Sequence, residues 1–554
     1  MNGYPLLNAL NLPNDLRGLD LRQLQKLCAE IRAFIPETTK DKEGHILASL
    51  GVTELTVALH HILNTPEDIL IWDVGHQAYV HKILTGRLHQ FHTNRKFGGI
   101  SGFPAPSESP YDVFGTGHAS TSLSALGGMA VAAKLQKTKM RFVAVIGDGA
   151  LTGGMAFEAL NHLSTLDIDM TIVLNDNQMA IEENVGALNQ LGTYQAYFQS
   201  LGIPCSLPVD GHSLSDLIPV LREACSKPHI KVVHVKTKRP QTVPAPQGTK
   251  AQAMALQDVF AETLIRLASN DSRITAITPA MLSGCSLDKF QKRFPERTFD
   301  TGITEQHAVT FAAGQAVAGL KPVVNIYSTF AQRAYDQIIH DVALQKLPVV
   351  FCIERAGLVG EDGPTHHGTF DLAFLRCIPN LVVAAPSNAE ELQLLMHTAL
   401  ESNQPFSIRY PKTSVPIGEA KQVPTTQMPI GQAIEKQRGK GVVLLSTGFL
   451  GALVADILAQ QPTWGHVHFP FVKPLDHQLL AEIANKYEVA ITLEDGCIMG
   501  GFGSAIAETG LLSQIQLHHA GIPDRFIPHG PTQMLHQTCG LEASQIIKLA
   551  ESKN

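Results

Sequence analysis

The stretch RFVAVIGDGALTGG at 141–154 decides the fold. Residues 142–146 form an unbroken apolar run, the pattern of a strand buried on both faces. GDGALTGG follows it at once. Gly147 and Gly149 predict a sharp turn and a close approach of backbone to a ligand. Asp148 then falls at the carboxyl end of a strand, where open α/β sheets bind ligands. The spacing predicts a helix over 154–163, with an N-terminus near Gly153 that could face a phosphate. A second apolar run, MTIVLN at 170–175, ends in the turn Asn175-Asp176-Asn177. A carboxylate and an amide oxygen from neighbouring strand ends are hard donors suited to Mg²⁺, with a diphosphate supplying further ligands. Alone, GDG reads as an ordinary strand-end turn. With 27 residues between Gly149 and Asn177, the two turns together predict a metal and phosphate site.

The same rhythm of apolar run and helical stretch extends outward. KVVHVK (231–236) closes a first set. ITAIT (274–278) opens a second, continued by PVVNIY, PVVFCI, LVVAAP and FSIRY. GVVLLS (441–446) and VAITLE (489–494) belong to a third. Strands buried on both faces and separated by helices predict an α/β protein of three doubly wound domains with mostly parallel sheets. The boundaries are roughly 1–240, 251–410 and 430–554. Between them lie the proline-rich stretches 239–250 and 411–429, read as linkers because Pro removes backbone donors and stops helices. LRQLQKLCAEIRAFI (21–35) predicts an amphipathic helix packed on the first unit.

Composition excludes several classes of function. The 554 residues carry 43 Lys+Arg against 50 Asp+Glu, a net charge of -7, which gives no basic face for nucleic acid. Hydrophobic residues make up 44% and charged residues 17%, enough for several cores. The longest nearly apolar stretch, 308–320, is too short for a membrane span and is broken by Gln315. Residues 1–10 lack the pattern of a signal peptide. None of the eight Cys shows zinc-site spacing, so buried reduced thiols and a cytoplasmic setting are expected.

GDG followed at this distance by an Asn-rich turn resembles the motif of thiamine-diphosphate enzymes. Further stretches narrow the likeness: WDVGHQAYVHKILTGR (72–87), GHAST (117–121), FDTGITEQHAVTFAAG (299–314), YSTFAQRAYDQIIHDVALQKLPV (327–349) and RAGLVGEDGPTHHGTFDL (355–372). Together they resemble 1-deoxy-D-xylulose-5-phosphate synthases, from about residue 4 to about residue 545. The resemblance implies decarboxylation of pyruvate and transfer of its two-carbon unit to glyceraldehyde 3-phosphate. The product would be 1-deoxy-D-xylulose 5-phosphate, which feeds non-mevalonate isoprenoid, thiamine and pyridoxal synthesis. It also implies thiamine diphosphate and Mg²⁺ as cofactors, and a homodimer.

Site roles follow from the same resemblance. Asp148, Asn177 and the Met179 carbonyl would hold Mg²⁺. Gly149 and Ala150 would line the diphosphate, and His76, Gly117, His118 and Ala119 would contact the cofactor. Glu305 would bond the pyrimidine nitrogen, and Phe330 would stack on that ring unless it is plain core packing. His45 would lie near the reacting carbons. Asp362 and His366 would meet the substrate hydroxyl and carbonyl. Tyr327, Arg355 and Arg409 would take the acceptor phosphate, the two guanidinium groups forming a fork at strand ends. His81 and His307 read as structural.

The chain departs from the family pattern at two places. GALN (186–189) runs into QLGTYQAYFQSLGIP, much shorter than usual. KRPQTVPAPQGTK replaces a stretch that normally brings a Tyr and a His to the site. Ala119, Gln178 and Ala180 stand where Ser, Glu and Ser are usual. The fold and cofactor site are expected to survive. A different acceptor, a related ketol transferase or 2-oxo-acid decarboxylating enzyme, and a silent paralogue remain open alternatives.

Overall fold

The structure, a computed structural model, describes residues 3–39, 46–179, 183–192, 194–240, 253–416 and 426–551. The chain divides into two compact units: Met1–Thr249 with Gly302–Thr304, and Lys250–Thr301 with Glu305–Asn554.

The first unit is built on five parallel strands: β1 (Ile69–Trp72), β2 (Phe142–Gly147), β3 (Met170–Asp176), β4 (Val209–Asp210) and β5 (Ile230–Lys236), in spatial order β1-β2-β3-β5-β4. Side chains alternate across a strand, so each apolar run feeds two cores. Val143 and Val145 of β2 enter one cluster, while Phe142, Ala144 and Ile146 enter the other. β5 divides in the same way, with Val233 and Val235 opposite Ile230 and Val232. The amphipathic segment becomes the helix Leu21–Thr39, which buries Leu24, Leu27, Ile31 and Ile35 in the first cluster. The helix Gly154–Leu163 forms as its pattern predicts.

The second unit continues with β6 (Ala253–Ala255), β7 (Ile274–Thr278), β8 (Thr298–Asp300), β9 (Lys321–Tyr327), β10 (Val350–Glu354), β11 (Val382–Ala384), β12 (Phe406–Tyr410) and β13 (Ser414–Pro416). There follow β14 (Ile434–Gln437), β15 (Val442–Ser446), β16 (Gly465–His468), β17 (Phe471–Lys473), β18 (Val489–Cys497) and β19 (Gln516–Ile522). A seven-stranded sheet runs β17-β11-β12-β10-β9-β7-β8, parallel except for β17 at its edge. A five-stranded sheet runs β14-β16-β15-β18-β19, parallel except for β14. Strands β6 and β13 pair with each other.

Three expectations need correction or qualification. The stretch 411–429 is not all linker, because β13 lies within it; residues 417–425 lie outside the described residues, as do 241–250 of the other linker. Cys28, Cys285 and Cys352 are buried, but Cys377 is exposed and the other four lie between. No helix among the described residues is long and apolar enough to cross a membrane.

One polar cluster ties the second unit together. Arg409 lies within β12 and is 1% exposed. Its Nε donates to Asp371 at 3.0 Å and its Nη1 to Asp495 of β18. Removing the cation would strand two buried carboxylates, a change that typically costs about 3–5 kcal/mol. Arg409→Met is therefore expected to lower the urea denaturation midpoint clearly; an unchanged midpoint would show that the cluster does not hold these strands.

Candidate active site

In the first unit β1, β2 and β3 are parallel neighbours, so their carboxyl ends lie side by side. Asp148 starts the short helix Asp148–Leu151 directly after β2 and is 1% exposed. Its partners are neutral. Asn184 Nδ2 donates to Oδ2 at 3.2 Å, and the Asn177 N–H reaches Oδ1 at 3.4 Å. Burial pushes its pKa up to about 6, and the charge of Asp176 adds to the rise, while the amide bonds oppose it. A carboxylate so placed, with only amides on it, is one that a bound cation would stabilise. The residues therefore fit Mg²⁺. Among the described residues no group of three His, Cys, Asp or Glu converges as a metal site. A cation at Asp148 would draw on amide and carbonyl oxygens and on phosphate.

The turn after β3 supplies such oxygens. Asn177 Oδ1 accepts from the Met179 N–H at 2.9 Å, folding the segment back on itself. Asp176 is turned to other work, its Oδ2 bound to His234 Nε2 at 2.8 Å. A cavity of about 1270 Å³ opens beside this turn, lined in part by Asn177, Met179, His212, Lys236 and Lys238.

The turn after β2 does not need glycine dihedrals. Gly147 has φ -74° and ψ 152°, which any residue adopts, and Gly149 sits inside the short helix. Crowding by neighbouring side chains makes glycine necessary at Gly75 and Gly153. At Gly75 (φ +83°) a Cβ would come within 2.3 Å of Thr116 Oγ1, and at Gly153 within 2.3 Å of Ser120 Oγ. Val74, a β-branched residue at φ 58°, shares the first turn, a strained conformation of the kind found at functional sites.

Asp73, just past β1, organises what surrounds it. Its two oxygens accept the N–H groups of Ser120 at 2.7 Å and Ser122 at 3.0 Å. Ser120 Oγ in turn donates to the Ala150 carbonyl at 2.6 Å. The segment carrying Gly117, His118 and Ala119 is thereby fastened beside Gly149 and Ala150. His118 is half-buried, as is His76 three residues after Asp73. His45 and Ala180 lie outside the described residues. His81 is buried in a network with Asp112 and His60, as a structural residue should be. His307 is exposed and lies over Phe311.

In the second unit Glu305 is the first residue of the helix Glu305–Val317 and is 4% exposed. Burial holds its carboxyl above the usual range, against the pull of the Arg333 charge. Tyr327 ends β9 and pairs with Glu354, the residue before Arg355. The Arg355 guanidinium lies 4.0 Å over the Tyr327 ring. The Tyr327 and Phe330 rings are nearly parallel, with centroids 5.7 Å apart, and Phe330 meets His366 edge-on at 5.6 Å. Thr329 Oγ1 donates to the Thr365 carbonyl at 2.9 Å and joins the two loops. Asp362 directly precedes the turn Gly363–Thr365, near enough to bias the Tyr327 phenol. Tyr327, Phe330, Arg355, Asp362 and His366 are thus gathered in one place. Arg409 lies on the neighbouring strand β12, opposite Ile353. It sits inside its strand rather than after it; Asp371 takes its Nε and Asp495 its Nη1, while Nη2 is buried without a partner among the described residues.

The family model described as 1-deoxy-D-xylulose-5-phosphate synthase matches residues 7–196. The transketolase pyrimidine-binding domain matches 252–417, and the transketolase C-terminal domain matches 431–546. A 1-deoxy-D-xylulose-5-phosphate synthase from Cytophaga hutchinsonii is 46% identical over 620 residues, covering 98% of this chain and 97% of the relative. The chain belongs to the 1-deoxy-D-xylulose-5-phosphate synthase family. Relatives of the same description from Parabacteroides distasonis and Chlorobaculum tepidum are each 43% identical, covering 99% and 98% of this chain and 99% and 97% of theirs. The Cytophaga alignment spans 620 positions against a chain of 554 residues, so that family member contains segments this chain lacks.

Sequence reasoning missed Asp73, Asn184 and Glu354. Asp73 stood in the quoted WDVGHQ at a strand end, the one available signal. Nothing in the pattern marked Asn184, because its partner Asp148 is 36 residues away. Asp73→Ala removes two hydrogen bonds that position the His118 segment. Loss of such an outer partner typically costs about 10–100-fold in ligand affinity. Calorimetric titration with thiamine diphosphate is expected to show a drop of that size, and unchanged affinity would mean the segment holds its place without Asp73.

Proposed function

We propose that this chain condenses pyruvate, with loss of CO₂, with D-glyceraldehyde 3-phosphate to give 1-deoxy-D-xylulose 5-phosphate, the first step of non-mevalonate isoprenoid synthesis and a source of thiamine and pyridoxal precursors. The observation that carries this reading is the 46% identity over 98% of the chain to a synthase of that name, in a chain that keeps Asp148, Asn177 and Glu305. The family implies thiamine diphosphate, which when bound supplies the carbon nucleophile that attacks the keto group of pyruvate. We take the metal to be Mg²⁺, held by Asp148, Asn177 and the Met179 carbonyl. We assign the diphosphate to residues 1–240, the pyrimidine to 251–410, and no catalytic part to 430–554. A homodimer working in the cytoplasm is our reading of the family likeness.

The chain's own residues would act as follows. Asp148 and Asn177 place hard oxygens at two strand ends and fix the cation. Gly149 and Ala150 line the diphosphate, and His76, Gly117, His118 and Ala119 orient the rest of the cofactor. Glu305, its carboxyl raised by burial, is suited to share a proton with a ring nitrogen. Phe330 offers a ring face for stacking. Arg355, over Tyr327, offers charge-assisted bonds to the acceptor phosphate. Asp362 and His366 stand where a substrate hydroxyl and carbonyl can be met, and His45 completes the reacting end.

Glu305→Ala is expected to lower kcat by about 10²–10⁴-fold, the usual worth of a general acid or base, with a smaller effect on cofactor affinity. Near wild-type turnover in the purified variant would remove Glu305 from this role.

Product analysis by mass spectrometry tests the reaction itself. With pyruvate, glyceraldehyde 3-phosphate, thiamine diphosphate and Mg²⁺, deoxyxylulose phosphate should form; its absence would refute the assignment. Loops that close over a site keep water from reactive species. Because this chain is shorter after GALN and after KVVHVKT, more of the pyruvate consumed should appear as acetaldehyde and acetolactate than with the Cytophaga relative. An equal or lower share would show that the missing segments do not control partitioning.

A further inference from the structure

Glu354 ends β10, one residue before Arg355, and lies beside Tyr327 and Tyr410 in the sheet register. Glu354 is 1% exposed, and neither oxygen has a partner in good hydrogen-bond geometry among the described residues, although the Asn325 side chain lies close enough to favour the carboxylate. The nearest amide donor, Asn325 Nδ2, is committed to Tyr410 Oη at 2.8 Å. Asn325 Oδ1, Tyr327 Oη and Arg355 Nε, in the same patch, are also buried without partners. Buried polar groups are nearly always satisfied, so such a group of exceptions marks a place where a proton or a ligand is taken up.

The charged and titratable groups around Glu354 come from every element packed on it. Arg355 next to it, the Asn325 side chain on β9 and Lys412 beyond β12 favour the carboxylate, while Asp258 on the helix Leu256–Asn270 opposes it. Tyr327, Tyr410, Cys285 and Cys352 complete its surroundings, and burial keeps all four neutral. Burial outweighs the two cations and pushes the Glu354 pKa up to about 8.

We propose that Glu354 sets the charge of the acceptor-phosphate site: as a neutral acid it leaves the positive charge of Arg355 to the phosphate, and as a carboxylate it claims that charge and repels the dianion. This rests on the reading of Tyr327 and Arg355 as the phosphate site. The sign follows directly. Below about pH 8 the folded protein carries the proton and the phosphorylated acceptor binds without a proton change. Above it, binding of a dianion draws a proton from solvent. The ligand cannot be the source of this effect, because a phosphate monoester has a second pKa of about 6 and is already a dianion.

The test compares wild type with Glu354→Gln, both with saturating thiamine diphosphate and Mg²⁺, between about pH 7 and pH 9. In wild type the KM for glyceraldehyde 3-phosphate should rise by about tenfold, the effect of one unit of differential pKa, while the KM for pyruvate does not follow. In Glu354→Gln the acceptor KM should stay flat. A variant that keeps the wild-type rise would overturn the proposal. So would one whose acceptor KM is already raised about tenfold at pH 7, since that would mean an ionised carboxylate is needed to orient Arg355. Should Glu354→Gln fail to fold, the wild-type holoenzyme decides. Titration with glycerol 3-phosphate at pH 8.5 in two buffers of different ionisation enthalpy should show proton uptake, and binding without uptake refutes the idea. Arg355→Gln separates the two layers of the argument. If it leaves the acceptor KM unchanged, the phosphate-site reading falls and this proposal with it. If it raises that KM while Glu354→Gln behaves as wild type, only the role of Glu354 is lost.

Discussion

A strand buried on both faces takes a polar side chain in its interior only where a partner compensates it, as Asp371 and Asp495 do for Arg409, and frees one for chemistry at its end. That constraint organises this protein. In β2 every residue from Phe142 to Ile146 packs into one apolar cluster or the other. The first side chain free to do chemistry is Asp148, where the strand runs out. Asp73 after β1 and Asn177 after β3 arise in the same way, and parallel pairing puts all three at one edge of the sheet. In the second unit Tyr327 and Arg355 come from the ends of neighbouring strands β9 and β10.

Burial then sorts the ionisable groups by what surrounds them. Arg409 and its two aspartates are buried together and compensate one another, so they serve as a bolt between strands. Asp148, Glu305 and Glu354 are buried to a similar degree, and each carboxyl is raised, as is that of Asp371 even with Arg409 beside it. A raised carboxyl is a demand for a partner: a cation for Asp148, a proton to share for Glu305, a retained proton for Glu354. Perturbed groups of this kind cluster where chemistry is done, and ion-pair networks such as that of Asp371 perturb pKa as well.

Fastening matters as much as the groups themselves. The Gly117–Ala119 segment has no regular structure of its own and is held by Asp73 from one side and by the Ala150 carbonyl from the other. Gly75 and Gly153 are required because the neighbouring threonine and serine occupy the space a Cβ would need. The residues that make such loops fit are not the residues that touch a ligand, and they carry no motif.

Much of the fold was legible in the chain because it depends on local periodicity. Apolar runs bounded by Gly, Pro and Asn specify strands, and nearly every run read as a strand is one. The short apolar edge strand β17 and the pairing of β6 with β13 were not legible, since each gains its partner from a segment far along the chain. The same division holds for the site. Asp148, Asn177 and Glu305 could be proposed from sequence because they stand in motifs of fixed spacing. The two aspartates that hold Arg409 were not legible, because a guanidinium near a strand end looks alike in sequence whether a phosphate or a pair of carboxylates takes it. Asp371 lies 38 residues before it and Asp495 lies 86 after. Local order determined which residues stand at strand ends. Tertiary packing alone decided which of their charges are already compensated, because that depends on neighbours the chain brings in from a distance.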